Sequence, residues 1–243
     1  MQYHLQEHSP NLTLSEWHVF SLHLLQIERG RGGRAVGGSF RRAHVFRREG
    51  AGAVAGGVMA RLFLVTHTDV VIDPCGPVDR WKLSDMGRAR SRAFATSGVL
   101  AKVKAIWSST EVKAIETAGI LAGPLGLPVS TDARLGENDR TATGFLPREE
   151  FEAAADRFFA APEESFRGWE RAVDAQKRIE RAVREILAAH PGGDLAVVSH
   201  GAVGTLLYCA LKGLAIDRKH DQPFQGHYWA ADLPGLVVRH GWR

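Results

Sequence analysis

The sequence predicts an α/β fold of three layers, in which a mostly parallel central sheet is covered by helices on both faces. Three observations carry this expectation. Short apolar runs rich in strand formers recur at Arg61–Thr66, Val103–Trp107 and Asp194–Ser199. Stretches with apolar residues at three- and four-residue intervals alternate with them. Two of the runs end in a histidine, His67 and His200.

The elements follow in order. Arg61–Thr66 is a buried strand bounded by polar residues. Ser84 opens a helix that runs to about Ala101, with Met86, Ala89, Ala93 and Phe94 on one side. After the strand Val103–Trp107, Ser108 and Glu111 read as a capping box for a helix with Ile115, Ala118 and Ala122 on one face, ending near Gly123-Pro124. Leu127–Ser130 is a brief third strand. A long helical region spans Arg148 to about Ala189; in its second half Trp169, Val173, Gln176, Ile179, Val183 and Ile186 recur at helical spacing, and Glu180 pairs with Arg184 one turn on. Pro191-Gly192-Gly193 stops it, Asp194–Ser199 is the next strand, Ala202–Leu211 a helix, and Leu236–Arg239 the closing strand.

Composition and charge narrow the class. The 243 residues hold 31 basic and 27 acidic side chains, a net charge of +4, but residues 1–58 alone hold seven arginines, no lysine and four acidic residues. The remainder is nearly neutral, so the basic balance is no property of the predicted α/β domain. Within the first 58 residues, Leu12–Ile27 fits a short amphipathic helix, and the Gly- and Arg-rich stretch 30–57 lacks apolar periodicity. This segment is expected to be a disordered leader, or to precede the true start at Met59; residues 59–243 form the domain. The apolar runs fall far short of the roughly 20 residues that cross a bilayer. Cys75 and Cys209 are the only cysteines, which excludes a disulfide scaffold and a four-thiolate zinc site and points to a reducing, cytoplasmic setting.

In open parallel sheets, ligands bind outside the carboxyl ends of the strands. His67 and His200 occupy that place on two strands, so their imidazoles converge if the strands are neighbours. Around them the chain resembles the histidine phosphatase superfamily, the phosphoglycerate mutase-like enzymes, from about Arg61 to Arg243. The family's Arg-His-Gly signature aligns with Thr66-His67-Thr68, and its Leu-Ser/Thr-x-x-Gly element with Leu83-Ser84-Asp85-Met86-Gly87. Its Ser followed by Arg-Ala-x-x-Thr-Ala aligns with Ser109 and Lys113-Ala114-Ile115-Glu116-Thr117-Ala118, its Leu-x-Glu with Leu135-Gly136-Glu137, and its His-Gly with His200-Gly201. Thr66 and Thr68 depart from the signature Arg and Gly, and Lys113 from the second Arg, exchanging two planar forks of donors for hydroxyls and a point charge.

The resemblance implies a phosphoglycerate mutase-like fold and a phosphomonoester hydrolase. It implies that His67 attacks phosphorus to form a phosphohistidine. Lys113 and His200 bind the transferring oxygens, aided by the Thr66 and Thr68 hydroxyls and by backbone N–H groups near Ser108. Glu137 protonates the leaving group and then activates water. A phosphate-binding member of the same fold with weakened or absent turnover is the alternative, and Arg80, Lys82, Arg134 and Arg140 are candidates to replace the missing arginines. A helical lid over about 144–168 is expected to set specificity. No cofactor or metal is expected; His220 and His227 lack an accompanying carboxylate-rich ligand pattern. The expected partner is a small phosphorylated substrate or a phosphoprotein, not a membrane or nucleic acid, with a homodimer left open.

Overall fold

Continuous apolar runs bury both faces of a strand and belong in the middle of a sheet. In the computed structural model, which describes residues 59–243, the strands β1 (Arg61–Thr66) and β4 (Asp194–Ser199) lie in that position. The leader reading for residues 1–58, including the helix over Leu12–Ile27, lies outside the described residues. β1 and β4 pair in parallel, with Leu64 opposite Val197 and Thr66 opposite Ser199. On the far side of β4 the parallel strands β2 (Val103–Ser108) and β3 (Val129–Thr131) continue the sheet. On the far side of β1 come β5 (Tyr228–Asp232), antiparallel to β1, and β6 (Val237–His240), antiparallel to β5. The order is β3-β2-β4-β1-β5-β6.

The sheet separates two apolar cores. Leu62, Leu64, Leu195, Val197, Trp229 and Ala231 face one, and Phe63, Val65, Ala196, Val198 and Ala230 the other, as the two-residue period of a strand dictates. The helices α3 (Arg148–Ala160), α4 (Ala172–Ala189) and α5 (Gly201–Lys212) cover the first face through Phe158, Phe159, Ile179, Val183, Val203 and Leu206. The second face packs against Ala114, Ala118 and Leu121 of α2 (Val112–Ala122). α1 (Asp85–Ala95) packs beside α2. The result is the expected three-layer α/β architecture with a mostly parallel sheet.

Several elements differ from the sequence reading, each for a local reason. α1 stops at Ala95 rather than Ala101, where the Thr96 hydroxyl turns back to the carbonyls of Arg92 and Ala93. It buries Gly87 and Ser91, while Met86 is 54% exposed. The region expected as one helix is two, parted by a segment containing Pro162, which lacks an N–H, and Gly168, whose φ of 82° only glycine adopts freely. The buried stripe of α4 runs through Ala172, Ala175, Ile179, Ala182, Val183 and Ile186; Val173 and Gln176 lie beside it. The expected Glu180–Arg184 pair forms at 2.7 Å. β5 carries no alternating pattern, because Trp229, Ala230 and Ala231 are buried on both faces, and the sequence reading missed it. No helix among the described residues is long and apolar enough to cross a membrane.

Candidate active site

The parallel register of β1 and β4 decides where the two histidines stand. Thr66 and Ser199 are partners at the strand ends, and the His67 N–H extends the ladder to the Ser199 carbonyl at 3.1 Å. One residue farther on each chain, the His67 and His200 rings meet edge to face with centroids 5.2 Å apart. Both are buried. The convergence inferred from two strand ends is therefore present.

His67 Nδ1 lies 2.8 Å from the Thr68 carbonyl, an acceptor only, so Nδ1 carries the hydrogen and Nε2 the lone pair. Burial, reinforced by the positive charge of Lys113, lowers the His67 pKa to about 4. At neutral pH it is a neutral imidazole with a free Nε2. Burial likewise holds His200 well below the ordinary histidine value.

The loop entering α1 holds His67 from below. Ser84 caps α1, its hydroxyl oxygen accepting the Gly87 N–H at 3.0 Å, and the Gly87 carbonyl accepts the Thr68 hydroxyl at 2.8 Å. A Cβ on Gly87 would stand 2.1 Å from the Asp69 carbonyl oxygen, so only glycine fits. The Leu83-Ser84-x-x-Gly87 element is thus the support on which His67 and its neighbour Thr68 rest.

The two threonines are committed elsewhere. Thr66 Oγ1 donates to Gln222 Oε1 at 2.7 Å and accepts the N–H groups of Gly226 and His227. Thr68 Oγ1 is engaged by Gly87 and by Ser91 at 2.8 Å. In this arrangement neither hydroxyl offers a donor to a ligand; both fasten the His67 strand end to flanking loops.

Lys113, in the first turn of α2, is 3% exposed and not a surface lysine. Its ammonium donates to the Val78 carbonyl at 2.9 Å and to the Glu111 carboxylate. Glu111 is the residue whose role the sequence reading misplaced. It is the N-cap residue of α2, yet its side chain makes no capping bond, and Ser109 rather than Ser108 accepts the Glu111 N–H. The Glu111 carboxylate instead reaches inward. Oε1 accepts the Glu137 N–H at 2.8 Å and lies 3.2 Å from His200 Nε2, which is also 2.8 Å from Ser109 Oγ. Burial opposes ionisation of Glu111, but His200 and Lys113 outweigh it and hold the pKa down to about 2.

Glu137 follows the turn that carries Leu135. Its carboxylate accepts the Ala202 and Val203 N–H groups at 3.3 and 3.2 Å, at the start of α5 immediately after His200. Burial raises its pKa above the ordinary value, so it holds its proton to higher pH than an exposed glutamate. The loop is fixed by a pair on neighbouring elements that the sequence reading did not single out. Arg178 on α4 donates to the carbonyls of Arg134, Gly136 and Glu137 at 2.8 to 3.0 Å and pairs with Glu170 at 2.7 Å. Glu170 in turn binds the backbone of Asp139 from both sides. Only an Arg among polar residues of a helix hinted at this; a separation of more than 40 residues hid the carbonyls it binds.

Of the four cations considered as replacements for arginine, Arg140 acts electrostatically on His67, His200 and Glu137. Its guanidinium lies over the Phe151 ring, 4.9 Å from the centroid. Arg134 is engaged by Asp132 and Glu185. Arg80 and Lys82 are exposed. Asn138 Nδ2 and His200 Nδ1 are buried without a hydrogen-bond partner among the described residues. The described residues contain no cluster of three His, Cys, Asp or Glu side chains suited to a metal ion.

Known proteins resemble the chain in sequence and in fold. The sequence profile of the histidine phosphatase superfamily, branch 1, matches residues 75–228, more than half of the chain. Phosphoserine phosphatase 1 of Hydrogenobacter thermophilus is 26% identical over 171 residues, covering 66% of this chain and 80% of that protein. The structure of YhfR from Bacillus stearothermophilus superposes with a TM-score of 0.64 at 26% identity, over 74% of this chain and 94% of that one. A mycobacterial glucosyl-3-phosphoglycerate phosphatase in complex with VO3 gives a TM-score of 0.65 at 23% identity, over 75% and 98% of the two chains.

Proposed function

Since the chain belongs to the histidine phosphatase superfamily, branch 1, we propose that it hydrolyses phosphomonoesters through a phosphohistidine on His67, without a metal ion. The observation that carries this reading is the state of His67: buried, neutral, and hydrogen-bonded through Nδ1 so that Nε2 is left as the nucleophile. Its neighbours supply what phosphoryl transfer needs besides a nucleophile, namely charge stabilisation and an acid for the leaving oxygen.

In the proposed reaction His67 Nε2 attacks phosphorus, the bond to the leaving oxygen breaks, and protonated Glu137 supplies the proton. Lys113, His200 and Arg140 hold the equatorial oxygens. Glu137, now ionised, takes a proton from water as it attacks the phosphohistidine, and inorganic phosphate leaves. The phosphatases among the similar proteins support this reaction class, and the substrate is proposed only as a phosphomonoester. A member that binds phosphorylated ligands without turning them over is the second reading, favoured by the pairing of Lys113 with Glu111, which reduces the charge available to the transferring group. Hydrolysis of an aryl phosphate in excess chelator separates the two. Turnover by the wild-type protein and its loss in His67→Ala support a hydrolase, whereas equal rates in both remove His67 from the mechanism.

A further inference from the structure

The cation and the imidazole expected to receive a phosphoryl group already hold an anion, one that belongs to the chain. The Glu111 carboxylate touches Lys113 Nζ, stands 3.2 Å from His200 Nε2 and accepts the Glu137 N–H at 2.8 Å. Two donors, the Lys113 ammonium and the Glu137 N–H, converge on one carboxylate with the His200 ring beside it, and Glu111 fills this oxyanion cradle. The Glu111 and Lys113 side chains are only 15% and 4% exposed, so solvent screens the pair weakly. Other charges facing Glu111 are those of Arg178, which acts on it from α4, and of the neighbouring Glu137.

We propose that Glu111 is a specificity-determining residue: a resident carboxylate that competes with the phosphoryl group for Lys113 beside His200, so that it weakens the binding of a doubly charged phosphoryl monoester more than that of a singly charged one. The proposal rests on the phosphatase reading of this pocket. Its physical content is a charge balance. Lys113 contributes one positive charge and Glu111 cancels it, whether the carboxylate stays on the ammonium or is pushed aside within the pocket. A ligand with two negative charges loses twice the attraction to Lys113 that a ligand with one loses. The free energy of a charge–charge interaction is proportional to the ligand's charge, whereas loss of shape or of a hydrogen bond affects both ligands alike.

Tungstate and perrhenate are tetrahedral oxyanions that differ by one charge, and both serve as probes at a single pH. Calorimetry compares their binding to the full chain and to Glu111→Gln, which retains an acceptor for the Glu137 N–H but not the charge. Tungstate binding is expected to tighten about tenfold in Glu111→Gln and perrhenate about threefold, since the logarithmic gain scales with ligand charge. In Glu111→Gln/Lys113→Gln, which removes the cation as well, the advantage of tungstate disappears. Equal changes for the two anions, or weaker tungstate binding in a variant whose circular dichroism is native, would overturn the proposal.

Parallel assays keep it separable from the hydrolase reading. Tighter tungstate binding with no hydrolysis by either protein leaves the proposal standing and removes the enzyme. Hydrolysis by wild type with unchanged tungstate affinity in Glu111→Gln does the reverse. Turnover of a bis-aryl phosphodiester in place of the aryl monophosphate would overturn the assignment of the singly charged group to a monoester.

Discussion

His67 and His200 face each other edge to face across 5.2 Å because Thr66 and Ser199 are register partners on two adjacent parallel strands. The pairing of β1 with β4 thus sets the separation of the two rings. A one-residue slip would turn every side chain of a strand to its other face, separating the histidines and exchanging the residues of the two cores.

Lys113 and Glu111 form a buried pair, and removing one partner strands the other's charge away from water. Lys113→Gln is expected to destabilise the fold by about 3–5 kcal/mol. For a domain of this size that lowers Tm by roughly 10 °C. The double substitution Glu111→Gln/Lys113→Gln is expected to cost less than the sum of the single ones. A double-mutant cycle measured by urea unfolding gives the coupling, and strict additivity would show that the pair is not coupled.

The pH dependence follows from the two shifted groups. His67 is neutral above a pKa of about 4, so the acid limb of kcat/KM is expected near pH 4 rather than near 6.5. The alkaline limb reports loss of the Glu137 proton and lies above the ordinary carboxylate range, because burial raises that pKa. Replacing Glu137 by Gln should lower kcat and remove the alkaline limb while leaving the acid one. The same shift of His67 affects stability. The unfolded chain binds a proton near 6.5 and the folded one only near 4, so the contribution is complete above 6.5 and is lost as pH falls to about 4. Its size is about 3 kcal/mol, readable from urea midpoints across that window.

Gly87 links a turn of α1 to Thr68, the neighbour of the proposed nucleophile His67. Gly87→Ala places a methyl group against the Asp69 carbonyl and must displace the loop whose Gly87 carbonyl holds Thr68. A fall in kcat of about tenfold or more is expected, since misplacing a reacting group by about 1 Å is that costly. Unchanged kinetics would show that α1 does not position His67.

What the sequence disclosed and what it hid divide along separation in the chain. The parallel core strands, His67, His200 and the boundaries of β1 and β4 were legible because each is encoded by a handful of consecutive residues. Ser108 and Glu111 had the spacing of a capping box, but a helix cap was outcompeted by Lys113 and His200, partners that only folding brings close. Thr66 and Thr68 aligned with a phosphate-binding signature, yet Gln222 and Gly87 claim their hydroxyls. β5 escaped because burial on both faces erased its alternation, and the break between α3 and α4 because its residues fall within an otherwise helical composition.

Arg178 shows the same limit in a residue that is testable. Its guanidinium makes bidentate contact with Glu170 and collects three carbonyls of the Glu137 loop. Lys cannot reproduce that fork. Arg178→Lys is expected to lower kcat about tenfold or more with a smaller change in KM, and to move the alkaline limb of the pH profile, since Glu137 is displaced rather than removed. A uniform loss of activity with an unshifted profile would indicate a structural role only.

On the proposed mechanism, His67 carries the phosphoryl group in the course of turnover. Rapid mixing with an aryl phosphate, alkaline quench and mass spectrometry of the proteolysed chain test it directly. A phosphoryl adduct is expected on the peptide containing His67, lost on acid treatment and absent from His67→Asn. Steady hydrolysis with no adduct on that peptide, and undiminished in His67→Asn, would contradict it.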